Sequence, residues 1–175
     1  MYCGLRDMTL ADALERATKR YPPQNGCDWN IVLSNFRRRR INEQMQADAA
    51  CKHIGKKVRV DGGEVVFDCF VGTKLIGCNS ALRGIVNGAF LLATAVEDEK
   101  IRARDEDTEE EADYAPATLA KHTRLLWALT LCSVQGRSLP GTIAIHDTRS
   151  RHFDTTHLYV ALSRATDGAN VHIVS

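Results

Sequence analysis

Short segments that are almost wholly apolar recur along this chain and alternate with segments that have the apolar spacing of a helix. The apolar segments are residues 29–33, 123–131, 142–146 and 170–174. The helical segments lie between Thr9 and Tyr21, over residues 35–50 and over residues 155–165. Strands that are buried on both faces are apolar throughout, and they belong to parallel sheets whose two faces are covered by helices. The sequence therefore predicts an α/β fold, with a parallel sheet flanked by helices.

The middle of the chain has a different pattern. Over residues 57–104, short runs of alternating apolar and polar residues are separated by turn signals such as Asn87-Gly88. This spacing predicts a small antiparallel β-barrel, and the acidic run 105–113 that follows is predicted to be a solvated loop. We therefore expect two domains. Residues 1–54 and 114–175 form a discontinuous α/β domain, and residues 55–113 form a β insertion that ends in the acidic loop.

The charge balance points to an anionic partner. Lysine and arginine together number 23 and aspartate and glutamate 22, so the net charge is only +1. Seven of the acidic residues lie within the run 105–113, which contains no basic residue. The rest of the chain therefore carries 23 basic against 15 acidic side chains, a net charge of +8. A basic surface of this kind favours binding to nucleic acid or phosphate.

Composition excludes several classes of protein. Charged residues make up 26% and hydrophobic residues 44%, which excludes a disordered or fibrous chain. The longest mostly apolar run without a charge, residues 84–96, has 13 residues, whereas a spanning helix needs about 20, so no membrane partner is expected. The opening residues lack the apolar region of a secretory signal, which predicts an intracellular protein of the nucleus or cytoplasm, including those of a virus-infected host. The histidines and aspartates of residues 146–157 match no metal-ligand spacing, so no metal site is expected.

Three segments carry residues suited to phosphate chemistry. Residues 31–42 have the sequence Ile-Val-Leu-Ser-Asn-Phe-Arg-Arg-Arg-Arg-Ile-Asn, residues 128–139 Ala-Leu-Thr-Leu-Cys-Ser-Val-Gln-Gly-Arg-Ser-Leu, and residues 159–166 Tyr-Val-Ala-Leu-Ser-Arg-Ala-Thr. In this order they resemble motifs IV, V and VI of the second RecA-like motor domain of superfamily 1 helicases, in the RecD-like, 5′→3′ branch. Residues 71–76 and 84–88 resemble the SH3-like insertion that this branch carries within that domain.

The resemblance implies roles for residues of motifs V and VI. Arg164 would be the arginine finger that supplies positive charge to the transferring phosphate. Arginine suits this role because it stays protonated and can bond two phosphate oxygens at once. The alternative is a helix-surface arginine in a salt bridge. Gln135 and Gly136 would face the nucleotide cleft, and Thr130 and Ser133 would contact nucleic acid.

Further candidates lie in motif IV and in the β insertion. Four arginines, residues 37–40, open the helix 35–50, and a helix N-terminus with arginine binds anions. Candidate contacts to the ATP phosphates are therefore Arg37 and Arg38, with Asn35 as a contact to nucleic acid; a plain solvated helix face is the alternative. In the insertion, the candidate contacts to a single strand are Lys74 and Asn87, against the alternative of an ordinary basic surface. Lys56, Lys57, Arg59 and Arg83 also lie among the turns and edges of the insertion.

The sequence contains no Gly-x-x-x-x-Gly-Lys-Ser/Thr phosphate loop and no acidic strand end that offers a magnesium site. We therefore expect ATP and Mg²⁺ to bind only when a Walker A/B domain completes the motor, and we expect no ATP hydrolysis by this chain alone. The first hypothesis is the C-terminal motor half of an ATP-dependent DNA helicase, with single-stranded DNA and an N-terminal RecA-like ATPase half as partners. The second is a non-catalytic, helicase-derived module that binds nucleic acid. Cys132, where the family usually has histidine, favours the second.

Overall fold

The computed structural model describes residues 8–24, 26–62, 66–78 and 85–174. The chain divides into two compact units. Unit 1 consists of the chain up to Ile41 and from Ala128 onward, and unit 2 is Asn42–Trp127. Unit 2 thus includes residues on both sides of the expected insertion, 55–113.

Helices and short strands make up most of the described chain. The helices are α1 (Leu10–Arg20), α2 (Asn35–Lys52), α3 (Pro116–His122) and α4 (Thr155–Leu162). The strands are β1 (Trp29–Val32), β2 (Val58–Asp61), β3 (Val66–Cys69), β4 (Lys74–Gly77), β5 (Phe90–Val96), β6 (Ile101–Asp105), β7 (Glu111–Tyr114), β8 (Thr123–Leu125), β9 (Ala128–Thr130), β10 (Ile143–Ile145) and β11 (Val171–Ile173). Short 3₁₀ turns span Leu131–Val134 and Gly168–Asn170. Among the described residues, no helix has the length and apolar character that crossing a membrane would require.

The strands of unit 1 form a parallel sheet in the order β11-β10-β1-β9. Every residue of these strands is buried, and Ile31, Leu129 and Ile145 are among the largest fully buried side chains. The predicted α/β fold with a parallel sheet is thus confirmed, because strands covered on both faces need apolar residues at nearly every position. The carboxyl ends of parallel strands lie at one edge of the sheet, so the segments that follow β1, β9 and β10 meet there.

The strands of unit 2 pair antiparallel. β2 and β3 form a two-stranded sheet, and the other strands form a five-stranded sheet in the order β7-β6-β5-β4-β8. Along β2, buried Val58 and Val60 alternate with exposed Arg59 and Asp61, as expected where only one face meets a core. Both sheets and α3 contribute to one hydrophobic core, which includes Val60, Phe67, Leu75, Leu91, Ile101 and Leu119. The antiparallel pairing predicted for residues 57–104 is therefore present.

The acidic run 105–113 is not the loop that the sequence predicted. Asp105 ends β6, a short turn follows, and the last acidic residues belong to β7. The Asp105 carboxylate accepts a hydrogen bond from the backbone N–H of Asp107 at 2.8 Å, which fixes the turn. Across the strand pair, Arg102 donates to Asp113 at 2.8 Å. The run forms a hairpin because basic side chains of β6 lie opposite its carboxylates.

The apolar stretch 123–131, predicted as one core segment, supplies a strand to each of two sheets. β8 is an edge strand of the five-stranded sheet, and β9 is an edge strand of the parallel sheet. Leu126 and Trp127 connect them. Hydrophobicity alone could not reveal this division, because both strands are short and apolar.

Candidate nucleotide and nucleic-acid site

The segments that resemble motifs IV and V leave the parallel sheet side by side. Val32, the last residue of β1, is in register with Thr130, the last residue of β9. The start of α2, with Asn35 and Arg37, and the 3₁₀ turn Leu131–Val134 therefore begin at neighbouring positions of the carboxyl edge. Open parallel α/β sheets bind their ligands at this edge.

Thr130 and Ser133, the predicted contacts to nucleic acid, are hydrogen-bonded to each other. Their hydroxyl oxygens are 2.9 Å apart. One hydrogen suffices for that bond, so the other hydroxyl hydrogen of the pair can point to a phosphate oxygen. Cys132, which lies between them in the chain, is exposed.

Gln135 and Gly136 are the two central residues of a type II β-turn. The N–H of Arg137 donates to the carbonyl of Val134 at 3.1 Å, Gln135 has φ −61° and ψ 129°, and Gly136 has φ +80°. A type II turn needs a positive φ at its third residue, which explains the glycine. A Cβ at Gly136 would meet no atom within 4 Å, so the space around this part of the turn is open.

Arg164 lies two residues beyond the end of α4, rather than inside the helix as the sequence predicted. Its Nη1 donates to the carbonyls of Arg137 at 3.1 Å and Val134 at 3.4 Å. Its Nη2 and Nε donate to Oγ of Ser163 at 2.9 and 3.3 Å. Arginine has five N–H groups, so the second hydrogen of Nη2 remains for a further acceptor. The type II turn and Ser163 thus hold the guanidinium.

The arginines at the start of α2 differ in environment. Arg37 is exposed, and its Nε lies 3.9 Å from the carboxylate of Asp147, while its backbone N–H donates to Oγ of Ser34 at 3.1 Å. Arg38, by contrast, is only 8% exposed. Of the two predicted phosphate contacts, Arg37 is therefore accessible to a ligand and Arg38 is buried. Asn35, at the first position of the helix, is exposed.

Asp147, which follows β10, contacts the segment that follows β1. Sequence reasoning missed this role. Its Oδ2 accepts a hydrogen bond from the backbone N–H of Leu33 at 3.1 Å, and its carboxylate is the group next to Arg37. Its φ of +60° is unusual for a residue other than glycine. Backbone conformations of this kind concentrate at functional sites. The signal in the sequence was a carboxylate immediately after an apolar strand.

His146 lies beside Asp147 and is half-buried. Its Nε2 is 2.9 Å from Oδ1 of Asn30. Burial lowers the pKa of His146, the positive charge of Arg37 lowers it further, and the negative charge of Asp147 opposes both. Its surroundings therefore favour the neutral ring. Asn30 is a polar residue within an apolar strand, and that irregularity was the signal available in the sequence.

The remaining histidines of this region have separate partners. Nε of Arg151 donates to Nε2 of His152 at 3.1 Å, and His157 forms a capping box with Asp154 at the start of α4. Within the part of the chain that the structure describes, no group of three or more His, Cys, Asp or Glu residues is placed to hold a metal ion.

In unit 2, the two residues predicted to contact single-stranded nucleic acid lie at opposite ends of β4. Lys74 is its first residue, and Nζ of Lys74 is 5.7 Å from the ring centroid of Trp127. Asn87 precedes Gly88, whose N–H donates to the carbonyl of Gly77, the last residue of β4. Three residues of strand separate the two positions by roughly 10 Å, so the structure does not bring Lys74 and Asn87 together.

The other basic residues of this segment are mostly engaged in ion pairs. Lys56 pairs with Asp98 at 2.8 Å and Arg59 pairs with Asp68 at 2.9 Å. Arg83 lies outside the described residues.

Residues 52–173 match the family described as the viral superfamily 1 RNA helicase core domain. The match covers more than half of the chain. The chain belongs to this helicase family. A search of curated proteins found no match.

The fold is similar to that of Pif1 helicases. Bacteroides Pif1 bound to ssDNA matches with a TM-score of 0.64 and 19% identity, over 94% of this chain and 45% of that chain. Bacteroides Pif1 in complex with ADP-AlF3 and ssDNA matches with a TM-score of 0.62 and 19% identity, over 94% of this chain and 45% of that chain. Pif1 helicase from Candida albicans matches with a TM-score of 0.61 and 13% identity, over 94% of this chain and 49% of that chain. The likeness establishes a RecA-like helicase fold, and the chain spans less than half the length of these structures.

Proposed function

We propose that this chain is the C-terminal motor half of an ATP-dependent superfamily 1 DNA helicase, in the RecD-like, 5′→3′ branch. The observation that carries the proposal is the attachment of Arg164 to the exposed turn of Gln135 and Gly136, close after β9. A guanidinium beside an exposed glycine turn is suited to binding phosphate oxygens. In this proposal, residues 1–54 and 114–175 form the second RecA-like domain, and residues 55–113 form an SH3-like insertion.

ATP, when bound, supplies the phosphoryl group, and a Walker A/B domain in a longer chain or a separate subunit would hold it together with Mg²⁺. The residues of unit 1 fit the phosphate end of such a nucleotide. The open space at Gly136 admits an anion close to the backbone, and Arg37 and Arg164 carry positive charge. This chain on its own would bind neither ATP nor Mg²⁺.

The bonds of Arg164 define what it must do as an arginine finger. One Nη2 hydrogen can meet a phosphate oxygen without other change, since the remaining donors bond the turn carbonyls and Ser163. A two-point grip on phosphate requires that one of those bonds be exchanged. Exchange of a bond to the carbonyl of Val134 or Arg137 would shift the turn that follows Thr130 and Ser133, and it would couple the phosphate to the contacts with nucleic acid.

In the same proposal, the partner of this chain is single-stranded DNA. Thr130, Ser133 and Asn35 would contact it in unit 1, and Lys74 and Asn87 in unit 2. The charge of +8 outside the acidic run supports an anionic partner. Similar Pif1 structures were solved with ssDNA.

The second candidate is a non-catalytic module that binds nucleic acid. Two observations favour it. Cys132 stands exposed where the resemblance leads one to expect histidine, and the internal bonds of Arg164 are also those of an arginine that simply fastens a turn. Such a module would need neither ATP nor a second motor half.

ATP turnover by the chain, alone and together with an N-terminal RecA-like half that carries a phosphate-loop lysine, separates the two candidates. We expect none from the chain alone. With the partner and single-stranded DNA or RNA present, Arg164→Ala should lower turnover on the order of 10³–10⁵-fold, and Arg149→Ala, which removes an exposed arginine outside the turn, should not. Turnover that survives Arg164→Ala would contradict the arginine-finger role of Arg164. Salt-dependent strand binding without turnover in any combination would favour the module.

A further inference from the structure

Trp127 and Lys74 form an aromatic and cationic pair within unit 2. Trp127 directly follows β8, and Lys74 begins β4, the neighbouring strand. The backbone joins them there, because the N–H of Leu126 donates to the carbonyl of Lys74 at 3.0 Å. The ammonium lies 5.7 Å from the centroid of the indole, near the outer limit of a cation–π contact. The indole is half-buried and retains some exposed surface.

A buried hydrogen-bond network fixes the orientation of this indole. Its Nε1 donates to Oε1 of Gln46 at 2.7 Å. Nε2 of Gln46 donates in turn to the carbonyl of Asp68 at 2.7 Å and to Oγ1 of Thr73 at 3.2 Å. The same Oγ1 accepts from the backbone N–H of Phe70 at 3.0 Å. Gln46 is 2% exposed and Thr73 0%, so the network is shielded from water and restrains the ring.

The restraint matters because a ring that is already fixed loses little conformational entropy when a ligand packs against it. Aromatic rings held in this way beside a basic side chain are the means by which proteins bind single strands: bases stack on the ring and phosphates meet the cation. A base of any identity can stack, so such a site does not depend on sequence.

The distribution of charge on the five-stranded sheet favours binding of a nucleic-acid strand near β4 and β8. Lys74 and Arg124 lie on one face of neighbouring strands, since Arg124 is in register with Ile76, two residues after Lys74. The acidic residues of β7 belong to the opposite edge. Three strand spacings separate β7 from β4, the strand that carries Lys74, roughly 14 Å along the sheet. This exceeds a Debye length of about 8 Å in physiological salt, so the carboxylates of β7 repel a phosphate at Lys74 only weakly.

We propose that Trp127 and Lys74 bind one nucleotide of a single-stranded nucleic acid, with a base against the indole and the adjacent phosphate at the ammonium. The proposal rests on the nucleic-acid part of the proposed function, and it adds a stacking residue that the sequence motifs did not indicate. The flexible stem of Lys74 lets its ammonium move from the ring to the phosphate.

Intrinsic fluorescence provides a direct test, because the chain has two tryptophans. Trp29 is 5% exposed, with its Nε1 bonded to the carbonyl of Pro140 at 2.7 Å. Trp29→Phe therefore leaves Trp127 as the only reporter. We expect 15-mers of deoxythymidine and of uridine to quench its fluorescence to saturation, whereas Trp127→Phe, which keeps Trp29, should show no such change.

Affinity and salt dependence separate the two halves of the site. Trp127→Leu should weaken binding about 5- to 100-fold, and Trp127→Tyr should recover most of the loss. Lys74→Met should reduce the slope of log K against log salt by about 0.7, the value for one phosphate of a single strand. Lys121→Met, which removes an exposed charge from α3, is the matched control and should leave the slope unchanged.

The outcomes distinguish this inference from the function on which it rests. If the oligonucleotides bind, but Trp127 fluorescence and the Lys74→Met slope do not change, the inference is wrong and the nucleic-acid role stands. If neither oligonucleotide binds at low salt, the nucleic-acid role is wrong and this inference with it. The fluorescence of Trp29→Phe and the slope of Lys74→Met are measured with Trp127 in place, so they decide the question even if Trp127→Leu fails to fold.

Discussion

The two units build their sheets from opposite kinds of strand. In unit 1, β1, β9, β10 and β11 are buried at every position and pair in parallel. In unit 2, strands such as β2 alternate buried and exposed residues and pair antiparallel. A strand covered on both faces can offer chemistry only where it ends, whereas a strand with an open face can offer it along its length. Thr130 of unit 1 accordingly lies at a strand end, whereas Arg102 of unit 2, which pairs with Asp113, lies within a strand.

Both interiors contain polar side chains, since Asn30 and His172 are buried in the parallel sheet of unit 1 as Gln46 and Thr73 are in unit 2. The parallel sheet of unit 1 is built on aliphatic side chains such as Ile31 and Ile143. The interior of unit 2 includes the polar side chains of Gln46 and Thr73, bonded to each other and to the backbone. Each tryptophan reports on one unit, since Trp29 lies in β1 and Trp127 follows β8. Single-tryptophan variants can therefore follow the unfolding of each unit separately.

The largest effect is expected from Gly77→Ala in unit 2. A Cβ at Gly77 would overlap the carbonyl oxygen of Val86, and backbone cannot move aside as a flexible side chain can. We expect the free energy of unfolding of unit 2 to fall by about 3 kcal/mol or more. Gly136→Ala in unit 1 adds a Cβ in open space at φ +80° and should cost about 1–2 kcal/mol. Urea titrations followed at Trp127 and at Trp29 would measure the two; equal losses would contradict the steric argument.

A smaller loss is expected from Thr73→Val, which removes the acceptor for Gln46 and for the backbone N–H of Phe70. Buried donors left without an acceptor cost about 1–3 kcal/mol. Thr94→Val is the matched control, because Oγ1 of Thr94 is buried with no partner among the described residues. That change should be neutral or stabilising. If urea titrations showed a similar loss of unfolding free energy for both variants, the hydrogen bonds of Thr73 would not be the cause of the loss.

A pH dependence is expected at His146 in unit 1. Its pKa is lowered in the folded state by burial and by Arg37, so the unfolded state binds the proton more readily. The contribution of the neutral ring is therefore complete above about pH 6.5, the unfolded pKa, and is lost as the pH falls through the lower folded pKa. His146→Gln should flatten the decline in stability of unit 1 between pH 7 and 5, measured at Trp29. A decline of unchanged slope would remove His146 as its source.

The smallest effect is expected from Asp113→Asn in unit 2. Arg102 and Lys100 lower the pKa of Asp113, so its contribution is present above the unfolded pKa of about 3.9 and is lost as the pH falls below it. The pair is exposed, and exposed pairs are screened by salt. We expect a small loss of stability at low salt that vanishes in high salt. A loss that persists in high salt would indicate a structural role for the carboxylate beyond its charge.

The sequence predicted unit 1 better than unit 2. β1, β10 and β11 were found within one or two residues because an uninterrupted apolar run is a strong signal. The β7 strand was missed because acidic residues carry no strand signal, and only the basic residues of β6 explain it. α3 was missed as well: it has seven residues, too few for a helical period to be evident.

In the candidate site too, some residues were named from the sequence and some contacts were missed. Thr130, at the end of β9, is a candidate through the resemblance of its segment to motif V, and its contact with nucleic acid stays a prediction. The bonds from Arg164 to the carbonyls of Val134 and Arg137 were not identified from the sequence, since backbone acceptors leave no residue-type signature. The contact of Gln46 with Trp127 joins residues 81 positions apart, and nothing in either local sequence indicates it.

The acidic hairpin has a consequence for how copies of this protein meet. β7 is the outermost strand of its sheet, so one row of its backbone N–H and C=O groups is offered to any strand that could add to it. Such edges are templates for joining one molecule to the next. β7 itself carries Glu111 and Asp113, and charged side chains on an edge strand disfavour pairing with a second copy. The segment that brings the net charge close to neutral thus also places negative charge on this edge.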